Sequence, residues 1–393
     1  MLGYRLHHLP PVPACARRDR AVRRPDRVRE HRRLSHGPAP RSSLRHITTI
    51  DELCDAARAD VDSGTVPACQ LAVARAGELV AFETFGAATN TTRFCIFSAT
   101  KPIVASAIWL LIGEGSVDVS RPVRDYVPEL AHDGFERVTV EQVMLHTSGF
   151  PNADTRADVS DATQRRAQFA RWRLEWEPGT RFEYHGGAAH WVLIDIIERV
   201  TEVDFRDFVA QQVCAPLGLP RVLGIPVDQQ DDIAVLVDTT GTNADPHALQ
   251  LNDPRVRAAG LPGGGAIATA ADLACFYQGL LHNPGGLWDR DVLRDAKAHI
   301  RCTFADPLMG VPVNRTLGLV VAGDDGKHIL RYAIFGAGCS PRSFGHAGAH
   351  AQTAWADPDS GISFACLNNA VTDDQMNAGM RANRLATIAA DLS

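Results

Sequence analysis

Ser98 and Lys101 stand three residues apart, directly before an apolar run, and together they could generate a nucleophile. Residues i and i+3 share one face of a helix, so the hydroxyl and the amine are expected side by side. A buried lysine loses part of its preference for the charged form and can take a proton from a neighbouring hydroxyl. The pair therefore predicts a serine nucleophile at Ser98 with Lys101 as its base.

The run after Lys101 has the spacing of a buried helix, with Pro102 tolerated in its first turn and glycines at 113 and 115 to end it. The apolar positions at helical spacing are Val104, Ala107, Ile108 and Leu111. The alternative interpretation is an N-cap serine followed by a solvated lysine. Lysine occurs only at positions 101, 297 and 327, so a chance match to this spacing is less common here than in most chains.

Two further stretches carry residues that suit the same chemistry. Tyr184-His185-Gly186 comes just before a predicted helix, and Tyr184 could project from the helix entrance. His346-Ala347-Gly348 lies on or beside a predicted C-terminal strand, where glycines would let a substrate approach the N–H groups of the strand edge. Taken singly, the first could be a core tyrosine with a satisfied hydroxyl, and the second a glycine-rich strand that happens to contain a histidine.

Hydrophobic periodicity predicts the elements that must position these residues. A helix over 50–59 leads to two strands over 68–74 and 78–85, and a mostly helical pattern follows from 117 to about 252. Period-two alternation returns after residue 315, and a closing helix follows residue 372. The four predicted C-terminal strands cover 317–321, 329–335, 352–356 and 362–367.

This arrangement predicts an α+β fold in which segments from both ends of the chain build one antiparallel sheet flanked by helices. The sheet domain is predicted to comprise residues 47–116 and 255–393, and an all-helical insertion residues 117–254. Residues 1–46 form a separate stretch, rich in arginine and proline. Twelve arginines, three acidic residues and six prolines occur in its first 45 positions, a composition that predicts a disordered extension. The alternative is a transit-like or nucleic-acid-binding tail.

Composition bounds the function class. The chain has 393 residues, is 45% hydrophobic and 22% charged, and carries a net charge of -6, as a globular protein with a substantial core would. No stretch resembles a secretory signal or a membrane span, so a cytoplasmic location without stable membrane insertion is predicted. The nine cysteines never occur as Cys-x-x-Cys, which fits a reducing compartment and indicates no metal site. No nucleic-acid partner and no cofactor is predicted.

In chain order, Ser98-Ala99-Thr100-Lys101, Tyr184-His185-Gly186 and His346-Ala347-Gly348 resemble the three motifs of the serine β-lactamase and penicillin-binding-protein superfamily. The similarity is greatest to its class C-like carboxylesterases, family VIII, and extends over about residues 66–369. It implies a β-lactamase-like fold and acyl transfer without a metal or cofactor.

The same resemblance implies roles for single residues. Ser98 would attack an ester carbonyl, while Lys101 and Tyr184 take its proton and deliver it to the leaving alcohol. Backbone N–H groups of Ser98 and Ala349 would form the oxyanion hole. The implied substrate-binding positions are Gly186, His346, Ala347 and Gly348.

Two departures from the family pattern bear on the substrate. Gly186 stands where lactamases and transpeptidases usually carry an asparagine, and His346 replaces a permanently charged lysine that would hold a carboxylate. Both favour esters over β-lactams as substrates. The predicted function is a carboxylesterase or lipase-like hydrolase of small-molecule esters with short to medium acyl groups. The alternatives are a β-lactamase or D-amino-acid peptidase and, outside enzymes, a binding homologue whose catalysis is impaired.

Overall fold

The structure is a computed structural model that describes residues 48–132, 134–153, 160–331 and 335–392, so the predicted extension over 1–46 lies outside the described residues. Most predicted helices and strands are present, with small changes at their ends. The strands, in chain order, are β1 Ala68–Arg75, β2 Glu78–Gly86, β3 Phe94–Cys95, β4 Val237–Asp238, β5 Ile267–Ala268, β6 Val320–Val321, β7 Phe344–Gly345, β8 Thr353–Ala356, β9 Ile362–Asn368 and β10 Ala370–Val371.

The helices begin with α1, which Thr49 caps through a reciprocal bond with Glu52, and end with α11 near the carboxyl terminus. They are α1 Ile50–Asp62, α2 Lys101–Gly113, α3 Val140–Met144, α4 Ala162–Phe169, α5 Ala188–Thr201, α6 Phe205–Phe208, α7 Pro246–Leu249, α8 Pro254–Ala259, α9 Ala270–His282, α10 Arg290–Ala298 and α11 Gln375–Ala390. A short 3-10 helix, Phe97–Thr100, leads directly into α2.

The main sheet has the strand order β2-β1-β9-β8-β7-β6, and every neighbouring pair is antiparallel. β1 lies between β2 and β9, so the amino-terminal hairpin is joined to the carboxyl-terminal strands in one sheet. The α+β fold with a sheet built from both ends of the chain is therefore confirmed. The predicted division into a sheet domain and an insertion stays a prediction.

Both faces of the central strands are buried, which explains why β1 is almost continuously apolar. Leu71 and Val73 point to the side covered by α1 and α11, whereas Ala72 and Ala74 point to the side covered by α2 and α9. Successive residues of a strand face opposite sides, so one run of small and branched residues supplies two cores. The larger core joins the sheet to the helices between residues 101 and 298.

Three predicted elements differ in the structure. The segment predicted as an all-helical insertion, residues 117–254, also contains a strand, because β4 pairs in parallel with β10. The strand predicted over 317–321 begins only at Val320, since the chain turns at Gly318, whose φ is 105° and whose missing side chain leaves room for Ala105 of α2. The strand predicted over 329–335 starts instead as a 3-10 turn at His328–Leu330, and residues 332–334 lie outside the described residues.

Candidate active site

Ser98 sits in a strained turn at the entrance to α2. Phe97, the residue before it, has a φ of 46°, a left-handed conformation that bulky side chains rarely adopt and that is concentrated at functional sites. Thr100 fixes the turn, because its Oγ1 donates to Phe97 O at 2.6 Å and accepts from Ala266 N at 3.0 Å. Ser98 remains partly exposed while its neighbours are buried. The predicted position of Ser98 at the start of a buried helix is confirmed.

Lys101 is 1% exposed, and its Nζ contacts three oxygens. The distances are 3.1 Å to Ser98 Oγ, 2.9 Å to Gly186 O and 2.6 Å to Gly263 O. Backbone carbonyls can only accept hydrogen bonds, so a neutral Lys101 amine donates its two N–H groups to the carbonyl oxygens of Gly186 and Gly263. Its lone pair is then left for the Ser98 hydroxyl. Burial holds the pKa of Lys101 below its usual value, against the opposite effect of nearby Tyr184.

The two glycine carbonyls converge because the backbones that carry them pack directly on each other. A Cβ on Gly263 would lie 2.5 Å from Gly186 O, closer than any side chain tolerates. β3 and β5 bring the loop before Ile267 alongside the strand before Ser98, and Ile96 N donates to Ala266 O at 3.0 Å. The Gly263-Gly264-Gly265 stretch therefore serves to bring a carbonyl to Lys101.

We expect Gly263→Ala to lower kcat/KM for an ester substrate about a hundredfold, because the added methyl group pushes the Gly186 carbonyl away from Lys101. Gly264→Ala is the matched control, since a Cβ there would meet Phe97 at an ordinary 3.7 Å. Steady-state kinetics on both variants, with thermal melting to confirm folding, measures the difference. Equal activity in the two variants would show that close packing of Gly263 on the Gly186 carbonyl is not needed to hold Lys101 in place.

Tyr184 is held over Lys101 by the backbone on either side of it. Glu183 N donates to His146 O at 3.1 Å, and His185 N donates to His146 Nδ1 at 3.2 Å. The Tyr184 ring centroid lies 4.8 Å from Lys101 Nζ. Burial acts to raise the pKa of Tyr184, but the charges of Lys101 and Arg315 and hydrogen bonds with Lys101 and Ser98 outweigh it. The pKa of the phenol therefore lies below its usual value.

Histidines surround this centre. The rings of His146 and His346 lie 4.9 Å and 6.2 Å from the Tyr184 ring, and those of His185 and His190 lie 5.8 Å and 6.0 Å from His146. Burial is the main cause that lowers the pKa of each of the four below its ordinary value. These side chains are therefore neutral at physiological pH and line the site as polar, uncharged groups.

The third motif passes directly beside the nucleophile turn. A side chain on Gly348 would collide with Ile96 O, so only glycine allows this close approach. His350 stacks edge-on against Phe97, with ring centroids 5.2 Å apart. Ala349 lies between these two contacts, is exposed, and its N–H makes no hydrogen bond to any residue that the structure describes. Its amide therefore belongs to the segment that packs against the turn before Ser98.

The structure brings together all the residues predicted for the site. Gly186 contributes through its carbonyl to Lys101, and open space surrounds the position of a Cβ on it. His346 Nδ1 lies 2.7 Å from the carbonyl oxygen of Ala347, so this histidine and this alanine are joined by a local contact. Sequence reasoning missed the carbonyl of Gly263, the backbone support from His146, and Arg315. The run of three glycines at 263–265 was a signal for the first of them.

Other features lie apart from this centre. A cavity of about 1060 Å³ is bounded by the end of α9 and by α10, and none of the predicted site residues lines it. No group of three or more potential metal ligands occurs in the described ranges. Nor, within the same ranges, is any helix both long and apolar enough to cross a bilayer. The cytoplasmic location stays a prediction.

Comparison with known proteins shows which family this chain resembles in sequence. The profile of the Beta-lactamase family matches residues 53–388. The esterase/beta-lactamase LipL of Mycobacterium tuberculosis is 26% identical over 312 residues, which cover 70% of this chain and 68% of LipL. The 6-aminohexanoate-dimer hydrolase of Paenarthrobacter ureafaciens is 28% identical over 153 residues, 35% of this chain and 39% of its own length.

Solved structures agree with the fold. A family VIII carboxylesterase superposes with a TM-score of 0.73 at 22% identity, covering 87% of this chain and 98% of that one. A penicillin-binding-protein homologue from Caulobacter crescentus gives a TM-score of 0.71 at 22% identity, with coverages of 86% and 97%. The β-lactamase-like fold predicted from the sequence motifs is confirmed.

Proposed function

We propose that this chain, which belongs to the Beta-lactamase family, is a serine hydrolase. It would cleave short to medium acyl esters through an acyl-enzyme on Ser98. One observation supports this most strongly. Lys101 Nζ is buried, gives two hydrogen bonds to the glycine carbonyls and faces Ser98 Oγ at 3.1 Å. An amine held in this way can accept the hydroxyl proton, and few other uses explain its burial.

In the first half of the proposed reaction, Ser98 Oγ attacks the ester carbonyl carbon as its proton passes to the Lys101 and Tyr184 pair. The negative charge moves onto the carbonyl oxygen. By resemblance to the family, the backbone N–H groups of Ser98 and Ala349 would donate to this oxygen and stabilise the charge. When the tetrahedral intermediate collapses, the carbon–oxygen bond to the alcohol breaks and the alcohol leaves with the proton from Tyr184.

The second half reverses the roles of the same groups. A water molecule gives its proton to the Tyr184 and Lys101 pair and attacks the acyl-enzyme carbonyl. The carboxylic acid is released and Ser98 regains its proton. The neutral histidines around the site would keep it polar without adding a charge of their own.

Two structural features favour esters over β-lactams as substrates. Gly186 offers no side chain to bind the amide beside a lactam ring, and the space next to it is open. His346 is buried and its pKa is lowered well below the ordinary value, chiefly by burial, so it carries no charge for a substrate carboxylate. Among the similar proteins, LipL is an esterase/beta-lactamase and one solved structure is a family VIII carboxylesterase, which is consistent with esterase activity.

The proposal is tested by comparing purified protein on p-nitrophenyl acetate, butyrate, octanoate and palmitate with a chromogenic cephalosporin. We expect the highest kcat/KM for butyrate or octanoate, and a value at least about a hundredfold lower for the cephalosporin. A cephalosporin hydrolysed faster than every ester would make the protein a β-lactamase. Failure of every compound to turn over or to acylate the folded protein would favour a binding homologue.

A further inference from the structure

Arg315 is a buried cation beside the candidate active site. It is 1% exposed, and its Nε and Nη2 have no hydrogen-bond partner among the described residues. Two other fully buried arginines have acidic partners, Arg165 with Asp195 and Arg331 with Asp325. Within the described ranges no carboxylate pairs with Arg315. An unpaired buried charge is costly, so its retention calls for a functional explanation.

The guanidinium is positioned directly against Tyr184. Its central carbon lies 5.1 Å from the Tyr184 ring centroid and 5.3 Å from that of Phe182. The backbone is fixed by bridges from Arg315 to Cys302 and to Val320, the second made possible by the turn at Gly318. Because the side chain is also 1% exposed and contacts both rings, it has little room to turn away from the phenol ring.

Arg315 also determines the protonation state of His346. Arg315 Nη1 lies 3.4 Å from His346 Nε2 and can only donate, so this ring nitrogen accepts. His346 Nδ1 lies 2.7 Å from Ala347 O, which can only accept, so the proton of the ring is on Nδ1. His346 is thus a neutral imidazole with one defined tautomer. The permanent charge near the third motif belongs to Arg315.

We propose that Arg315 is a positioning residue whose fixed positive charge stabilises the ionised phenolate of Tyr184. This charge takes the place of the lysine charge that is missing at His346. This inference rests on the proposed function and deepens it. In the acylation step the Ser98 O–H bond breaks and a new O–H bond forms on the Tyr184 oxygen. The negative charge passes from the phenolate to Ser98 and then to the carbonyl oxygen, while Arg315 stays protonated throughout.

The groups around Tyr184 are consistent with this role. Titratable side chains surround Tyr184 and its neighbour His146. Those in contact with Tyr184 itself are Lys101, His146, Arg315 and His346. His185 and His190 contact His146. The adjacent Glu183 pairs with Arg181 instead of facing the phenol. Among these six groups, Arg315 carries a permanent positive charge, Lys101 becomes cationic when its amine accepts a proton, and none is acidic, so the surroundings favour a phenolate.

The experiment compares wild type, Arg315→Gln and Arg315→Lys by ultraviolet titration of tyrosinate absorbance, each referenced to the same protein carrying Tyr184→Phe. Glutamine keeps much of the packing and a donor toward His346 but removes the charge, whereas lysine keeps the charge. We expect one tyrosine, absent from the Tyr184→Phe reference, to ionise below the others in wild type and in Arg315→Lys. In Arg315→Gln its ionisation moves to higher pH.

The activity of the same proteins gives a second readout. We expect kcat/KM of Arg315→Gln to fall about tenfold at neutral pH and to recover as pH rises, because losing the positive charge favours the protonated phenol. Arg331→Gln, which loses a buried arginine away from Tyr184, is the control for general destabilisation and should leave the pH profile unchanged.

Each outcome bears on the inference separately from the proposed function. If Arg315→Gln hydrolyses esters with the wild-type pH profile and titration, the inference is wrong while the esterase proposal stands. If only KM for a carboxylate-bearing ester rises, Arg315 binds a substrate anion and the inference is likewise overturned. Should Arg315→Gln fail to fold, the wild-type titration decides, and ionisation of Tyr184 together with the ordinary tyrosines contradicts the proposed role. This titration requires no turnover.

Discussion

Replacing Ser98 by alanine lowers kcat/KM for p-nitrophenyl butyrate at least about ten-thousandfold. The change removes the atom on which the acyl-enzyme forms, and the structure holds Lys101 Nζ against that atom at 3.1 Å. Without the hydroxyl, the remaining polar groups can bind the ester and stabilise the oxyanion but have nothing to acylate. Initial rates across a range of enzyme concentrations, with pre-steady-state release of p-nitrophenol as a second readout, measure the loss.

Ser106→Ala is the matched control for this variant. Ser106 lies on the same helix, α2, is fully buried, and donates from Oγ to Ile103 O at 2.7 Å. The chemical change is identical but does not touch the site, so activity close to wild type is expected. A Ser98→Ala protein that stays folded and retains more than about a hundredth of wild-type activity would contradict the assignment of the nucleophile.

Replacing Lys101 by methionine lowers kcat/KM about a thousandfold at neutral pH, because the buried amine belongs to the Lys101 and Tyr184 pair that would take the Ser98 proton. Methionine has a similar length and no polar atom that could act as a base. Lys101→Arg should be impaired to a similar degree, since a guanidinium keeps the positive charge but cannot accept a proton. The rate of labelling by a fluorophosphonate measures the effect on nucleophile activation alone.

Lys297→Met provides the control for removing a buried lysine. Lys297 on α10 is also largely buried, its Nζ donates to Leu280 O at 2.6 Å, and burial lowers its pKa. It does not contact the site, so its loss should leave kcat/KM near wild type. Comparable activity losses in Lys297→Met and Lys101→Met would indicate damage to the fold and would remove the support for Lys101 as the base.

The chemical centre was largely predictable from the sequence. Short-range spacing places Ser98 and Lys101 on one helix face, and the order of the three motifs links them to Tyr184 and His346 over a long separation. The strands β1, β2, β8 and β9 followed from period-two alternation, as did α1, α2 and α11 from helical spacing. The spacing and alternation signals are local, so they do not depend on knowing the tertiary contacts.

What the sequence did not indicate depends on backbone geometry and long-range packing. The Gly263 carbonyl reaches Lys101 only because two glycine backbones touch, and no side-chain pattern encodes that contact. Arg315 approaches Tyr184 because the chain reverses at Gly318, which also shortens the strand predicted over 317–321. The sequence around Arg315 does not indicate which residue its side chain contacts. Its position beside Tyr184 became apparent only from the structure.

The most direct test of the account is to locate the covalent adduct. Purified wild-type protein is incubated with a fluorophosphonate, digested, and mapped by mass spectrometry, with the Ser98→Ala protein treated in parallel. We expect a single stoichiometric adduct on Ser98 in wild type and none in the variant. An adduct on another residue, or equal labelling of the two proteins, would contradict the central claim that Ser98 is the nucleophile.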